Sequence, residues 1–287
     1  MGNKPNRERI AVVRGALVAI GAALLAGCQS QAALNDTRGV EAAAASEVNI
    51  ESLTAVVRQN PSDPAAYNVR GTAFGRAGKL KEAMADFEQA IKLNPDYYQA
   101  YANRALVYRR MGNDDAALAD YNRAIQINPN YDVAYAGRGN LYRGRGQFDL
   151  ALADFNRAIE IDATDPKSYH NRALVYQAQG NHQAAIADFT KAISFAPQAA
   201  EPFNGRGLSY LALGDDKAAL DDFNQAVRRD PQSYEGWTNQ ALVYEKMGER
   251  EKAFASFSHA YALNNNYAPA RDGMHRLSRG GIKTSAL

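Results

Sequence analysis

Cysteine is almost absent. Cys28 is the only one in 287 residues, so no disulfide can form within one molecule and no thiolate metal cluster is available. Histidine is scarce as well: His170, His182, His259 and His275 are the whole complement, and their spacing supplies no ligand set, so no metal is expected. No glycine-rich phosphate loop, nucleophile motif or zinc signature appears, which leaves an enzyme without a catalytic residue or a cofactor site to stand on. Excess charge of one sign is lacking too, because 33 Lys and Arg face 31 Asp and Glu for a formal +2. Residues 1–27 hold Lys4, Arg7, Arg9 and Arg14 against Glu8, a net +3, so the remainder carries −1 and no nucleic-acid partner is expected. At 46% apolar and 22% charged, the composition is that of a globular chain, not a disordered or collagen-like one.

The apolar stretch Gly15–Ala26 follows the cationic start and is too short for the roughly 20 residues of a spanning helix. A basic start followed by an apolar stretch of about 7–15 residues is the layout of a secretory signal. Leu25-Ala26-Gly27-Cys28 closes it and resembles a bacterial lipobox. That resemblance implies removal of residues 1–27, diacylglycerol on the Cys28 sulfur and acylation of the new amino terminus. Several acyl chains hold a protein on a bilayer where one does not, each buried methylene adding about 0.8 kcal/mol. Gln29, standing where an Asp commonly retains such proteins in the inner membrane, implies an outer-membrane address facing the periplasm. Residues 28–47 read as the lipidated cysteine and a flexible tether rich in Ala, Gln and Ser, although Ala42–Ala45 leaves a helical start open.

From residue 64 to 267 one unit recurs six times with a period of 34. Its fourth place holds Tyr67, Tyr101, Tyr135, Tyr169, Phe203 and Trp237. Its eighth is small (Gly71, Ala105, Gly139, Ala173, Gly207, Ala241), and its eleventh is aromatic (Phe74, Tyr108, Tyr142, Tyr176, Tyr210, Tyr244). A glycine follows at Gly78, Gly112, Gly146, Gly180, Gly214 and Gly248. The second half repeats Ala83-x-x-x-Phe87-x-x-Ala90 five more times, with Tyr121 as the one Tyr among the aromatics. Pro95, Pro129, Pro197 and Pro231 close four units; Ala163 and Asn265 stand at the other two closures, which predicts looser third and sixth boundaries, with Pro166 serving the third.

This pattern resembles the tetratricopeptide repeat. The resemblance implies an all-α superhelical solenoid of six helix-turn-helix repeats over 64–267, with aromatics and small residues packing two antiparallel helices per repeat and a concave face for ligands. Capping helices are expected at 48–63, with Leu53 and Val56 at the packing places, and at 268–279; residues 280–287 read as a disordered tail. The family's carboxylate clamp is not expected: Asn140 and Asn171 would fill two of its places, but Ala136, Glu201 and Gly205 occupy the rest.

Arg70, Arg104, Arg138, Arg172 and Arg206 share the seventh place, and Asp86, Asp120, Asp154, Asp188 and Asp222 the twenty-third. In the sixth unit both change, to Gln240 and Ser256. This coupling predicts a structural ion pair between the two helices of each unit. By analogy with the family, places two, five, nine and twelve face the groove. The partner-binding candidates are then Arg109, Asn140, Arg143, His170, Leu174, Gln177, Leu208, Leu211, Leu242 and Glu245, giving a floor of leucines that is basic early and acidic late. Such a groove would take a protein or peptide in one direction. The units also resemble those of NlpI-type repeat lipoproteins, as in Arg206-Gly207…Tyr210…Gly214…Ala219…Asp222-Phe223. That implies a membrane-anchored envelope adaptor for a processing protease or murein hydrolases, often as a homodimer. The alternative is a pilotin-like lipoprotein that assists secretin or pilus assembly.

Overall fold

A computed structural model of the chain describes residues 47–279. The expected signal segment, Cys28, the expected tether up to residue 46 and the expected tail after Arg279 lie outside the described residues. The described chain forms fourteen helices and, among the described residues, no strand. It divides into two units at Gly112 and Asn113. The first contains α1 (Glu47–Gln59), α2 (Pro64–Arg76), α3 (Leu80–Leu93) and α4 (Tyr98–Arg110). The second begins with α5 (Asp114–Ile127), followed by α6 (Asp132–Gly144) with α7 (Phe148–Ile161), α8 (Pro166–Ala178) with α9 (His182–Phe195), α10 (Glu201–Ala212) with α11 (Asp216–Arg229), and α12 (Tyr234–Lys246) with α13 (Arg250–Leu263). It ends with α14 (Ala268–Arg279).

The sequence sets each helical hairpin through three devices. The six repeated glycines all take left-handed backbone, with φ between 70° and 81°. Nothing lies within 4 Å of where their Cβ would sit, so it is the backbone conformation and not space that selects glycine. The small eighth place has the opposite reason. A Cβ on Gly71, Gly139 or Gly207 would come within 2.8 to 3.0 Å of the ring of Phe87, Phe155 or Phe223, the aromatic that fills the hairpin. The third device is the tenth place, which the repeat reading passed over. Val107, Val175, Val243 and Leu277 are buried, each packed on the Ala–Phe pair of the preceding repeat, so this place joins one repeat to the next.

In the first, third, fourth and fifth repeats the predicted ion pairs form. Arg70, Arg138, Arg172 and Arg206 each donate through Nε and Nη2 to both oxygens of Asp86, Asp154, Asp188 and Asp222, at 2.7 to 2.8 Å. Nη1 of Arg138, Arg172 and Arg206 reaches further, to Asn122, Asn156 and Thr190 on the second helix of the preceding repeat. In the last repeat the same path runs without charge: Ser256 Oγ donates to Gln240 Oε1 at 2.6 Å, and Gln240 Nε2 donates to Asn224.

Three expectations need correction. In α1 the buried residues are Ile50 and Val57, while Val56 is 43% exposed, because the helix turns a different stripe toward α2. The third and sixth boundaries are closed as the others are. Asp162 and Asn264 accept from the backbone N–H two residues on, as do Asn94, Asn128 and Asp230, so a short polar side chain supplies the turn with or without proline. Pro166 instead opens α8, behind an N-cap in which Asp165 accepts from the N–H groups of Lys167 and Ser168. The irregular boundary is the fourth, where Ala196 has no such side chain and α10 starts a residue later in its repeat than its counterparts do.

Candidate functional site

That irregular boundary borders a cavity. Between the first helices of the fourth and fifth repeats, the second unit opens a pocket of about 230 Å³. Four predicted groove residues meet there: His170, Leu174 and Gln177 from α8, and Leu208 from α10. Glu201, Asn204, Asp230 and Ser233 add polar atoms. Glu201 enters at the first turn of α10, and Asp230 is the residue that ends α11.

The local chemistry explains these positions. Leu208 is 39% exposed at the rim. Leu174 is half-buried and packs on Ala173, Ala185 and Phe189, so it belongs to the core as well as to the pocket wall. Gln177 spends its amide inside the fold, donating to Gly205 O and Ser209 Oγ, both at 2.8 Å. The His170 ring stands edge-on to Phe189 at 5.4 Å, and its buried Nδ1 has no hydrogen-bond partner. Burial lowers the His170 pKa below the ordinary 6.5; Glu201 pulls it up and Arg143 pushes it down. The ring is therefore neutral near pH 7.

The other candidates are dispersed. Arg109 is exposed on α4, in the first unit. Arg143 lies on α6 with Nη2 toward Asn140 Oδ1 at 3.4 Å, and Asn140 Nδ2 donates to its own helix at Ala136 O. Leu211 packs on the Ala219–Phe223–Val243 cluster and serves the core. Leu242 is 41% exposed outside the pocket. Glu245 is held by Arg276 of α14 through two bonds of 2.8 and 2.6 Å, which lower its pKa and neutralise the late end of the second unit.

Asn204, Asp230 and Ser233 escaped the sequence reading. Asp230 occupies the place that caps every second helix, and nothing at that place signals a pocket. Asn204 belongs to a pattern that the sequence does carry. Asn239 Nδ2 donates to Asn204 Oδ1 and Asn103 Nδ2 to Asn68 Oδ1, each at 2.9 Å, joining place six of an even repeat to place five of the odd repeat before it. The same alternation sets Gly139 and Gly207 against Ala173 and Ala241, so the units pair with a period of 68. Among the described residues no cluster of His, Cys, Asp and Glu could hold a metal ion.

A ladder of helical hairpins with an open cleft between first helices defines a class, the protein-binding helical repeat scaffolds. Family models described as tetratricopeptide repeat or TPR repeat match 50–88, 76–112, 98–131, 139–180, 165–232 and 204–268. The chain belongs to the tetratricopeptide repeat family. By sequence it has no match among curated proteins. Among solved structures it is similar to the Cut9–Hcn1 hetero-tetramer of the APC/C, with a TM-score of 0.73 and 19% identity over 84% of this chain; it spans 47% of that chain's length. It is also similar to PilW, described as a widely conserved type IV pilus biogenesis factor (TM-score 0.67, 19% identity, 75% of this chain and 98% of that one). A third is YrrB, described as a TPR protein with an unusual peptide-binding site (TM-score 0.53, 21% identity, 66% and 97%). At these identities the likeness is one of fold.

Proposed function

We propose that this chain is a lipid-tethered scaffold of a bacterial cell envelope, facing the periplasm from the outer membrane, and that it docks a segment of a partner protein in the cleft between α8 and α10. The observation that carries the docking reading is the pocket itself, where an apolar wall and polar side chains meet at a repeat boundary that departs from the others. The tether reading rests on the sequence, whose only cysteine follows Leu25-Ala26-Gly27. The partner favoured by the resemblance to the NlpI-type lipoproteins is a processing protease or a murein hydrolase.

Crosslinking capture from the envelope fraction tests this, with the native chain as bait and a Leu208→Asp variant beside it. Leu208 is exposed enough to take a charge without unfolding, which a circular dichroism melt checks; Leu174 is unsuitable because it packs on Phe189. Capture of a protease or murein hydrolase by the native bait alone supports the proposal. Capture of a secretin or pilin subunit replaces it with the pilotin-like reading. Identical captures move the interface away from the cleft. Independently, the protein produced in a bacterial host should incorporate labelled palmitate and Cys28→Ala should not.

A further inference from the structure

The acids of the second unit are not equivalent. Glu245 is closed by Arg276. Asp216 pairs with Lys246 at 2.6 Å, and Asp115 with Arg145 at 2.7 Å. Glu201 and Asp230 pair with no cation among the described residues, and both line the same pocket. Arg229, which adjoins Asp230 in the chain, is committed elsewhere. Its Nε donates to Pro197 O at 2.7 Å, its Nη1 to Gln225, and its guanidinium lies 4.1 Å from the centre of the Phe203 ring.

Resting on the cleft reading above, we infer that this pocket takes a lysine or arginine side chain of an extended partner segment whose flanking residues are apolar. The two carboxylates on the pocket offer acceptors to the cationic head, and Leu174 and Leu208 line the path of its aliphatic stem. A charge-assisted hydrogen bond is stronger than a neutral one, and two unpaired carboxylates on one pocket favour a cation over a neutral or acidic residue of the same length. The partner's docking segment is then basic and apolar.

Fluorescence anisotropy on the full-length protein in detergent tests the inference. The probe is a fluorescein-labelled nonapeptide, Gly-Ser-Ala-Leu-Lys-Leu-Ala-Ser-Gly, compared with versions carrying norleucine or Glu at the centre. The Lys peptide should bind about tenfold tighter than the norleucine peptide, the Glu peptide weaker still, and the gap should narrow as salt is raised. Glu201→Gln with Asp230→Asn, nearly isosteric, should bring the three peptides to similar affinities; Leu208→Asp in an otherwise native chain should weaken the norleucine peptide. Equal binding of all three peptides by the native protein, with Leu208→Asp still weakening them, overturns the cation pocket and leaves the cleft standing. No binding of any peptide overturns both. A preference for Lys that survives in the Gln–Asn variant assigns the selectivity elsewhere and also overturns the inference.

Discussion

Arg138, Arg172 and Arg206 each answer to three helices: the arginine lies on the first helix of its hairpin, grips the aspartate of the second, and reaches the second helix of the repeat before. In the fourth repeat the partners keep only 18% and 9% side-chain exposure, so removing one leaves the other stranded in a poorly solvated site. Asp188→Ala should therefore cost about 3 kcal/mol, and adding Arg172→Met should recover part of that loss, because a missing pair costs less than a lone buried charge. Chemical denaturation of the two variants checks this, and a double variant less stable than Asp188→Ala would contradict it. The last repeat already carries a natural counterpart in Gln240 and Ser256, which keep the geometry without the charge. A second substitution shows the same logic. Tyr67, Tyr101 and Tyr169 donate their hydroxyls, and Trp237 its Nε1–H, to the carbonyl six residues back. Phe203 has no donor, and the Arg229 guanidinium stacked near its ring supplies the missing bond to Pro197 O.

Among the elements, the glycines of the first helices divide by what surrounds them. A Cβ on Gly205 would stand 2.4 Å from the Phe189 ring, which is fully buried and has nowhere to move, so Gly205→Ala should destabilise by about 2 kcal/mol. Gly144, at the end of α6, has open space and ordinary helical backbone, so Gly144→Ala should add about 0.5 kcal/mol. Thermal melts of the two variants should move in opposite directions. His170 gives α8 a pH dependence. Its folded pKa is depressed by burial, so as pH falls below about 6.5 the unfolded chain binds the proton first and stability declines. The melting temperature should therefore fall more between about pH 7.5 and about pH 5.5 in the native protein than in His170→Gln, and equal slopes would contradict this. How much of this could be read from the chain depended on what each residue type leaves open. The hairpins were legible because glycine at the turn and small residues against aromatics admit few geometries, and the ion pairs because both partners change together in the sixth repeat. The stripe of α1 was not, since Leu53, Val56 and Val57 offer neighbouring apolar faces and only contact with α2 chooses between them. Nor was the pocket, because Leu208 and Leu211 are alike in type, and one turn of helix sends the first to the rim and the second into the core.

At the scale of the whole molecule, a repeat array stores its stability in nearest-neighbour interfaces, and its end is where that arrangement is most exposed. The second unit closes with α14, which sets Leu277 and Met274 on Phe257 and Ala253, brings Gly273 against the Phe257 ring and lends Arg276 to Glu245. Phe257 and Leu277 are almost wholly buried, so Leu277→Ala should cost about 3 kcal/mol. The position of that loss matters more than its size. In a single cooperative core it would weaken every helix alike. In a chain of neighbour contacts it should loosen α12 and α13, whose shared core Leu277 completes, and leave α6 to α9 nearly untouched. Native-state hydrogen exchange separates the two outcomes. Amides of α12 and α13 should exchange at least tenfold faster in Leu277→Ala, a factor that corresponds to about 1.4 kcal/mol, while those of α6 to α9 hold their rates. The pocket lies between α8 and α10, two repeats inward from this end, so the same variant should keep its affinity for a cleft-binding peptide even as its last hairpin opens. Equal acceleration along the whole unit would mean that the repeats fold as one body, and a lesion at either end would then reach the binding cleft.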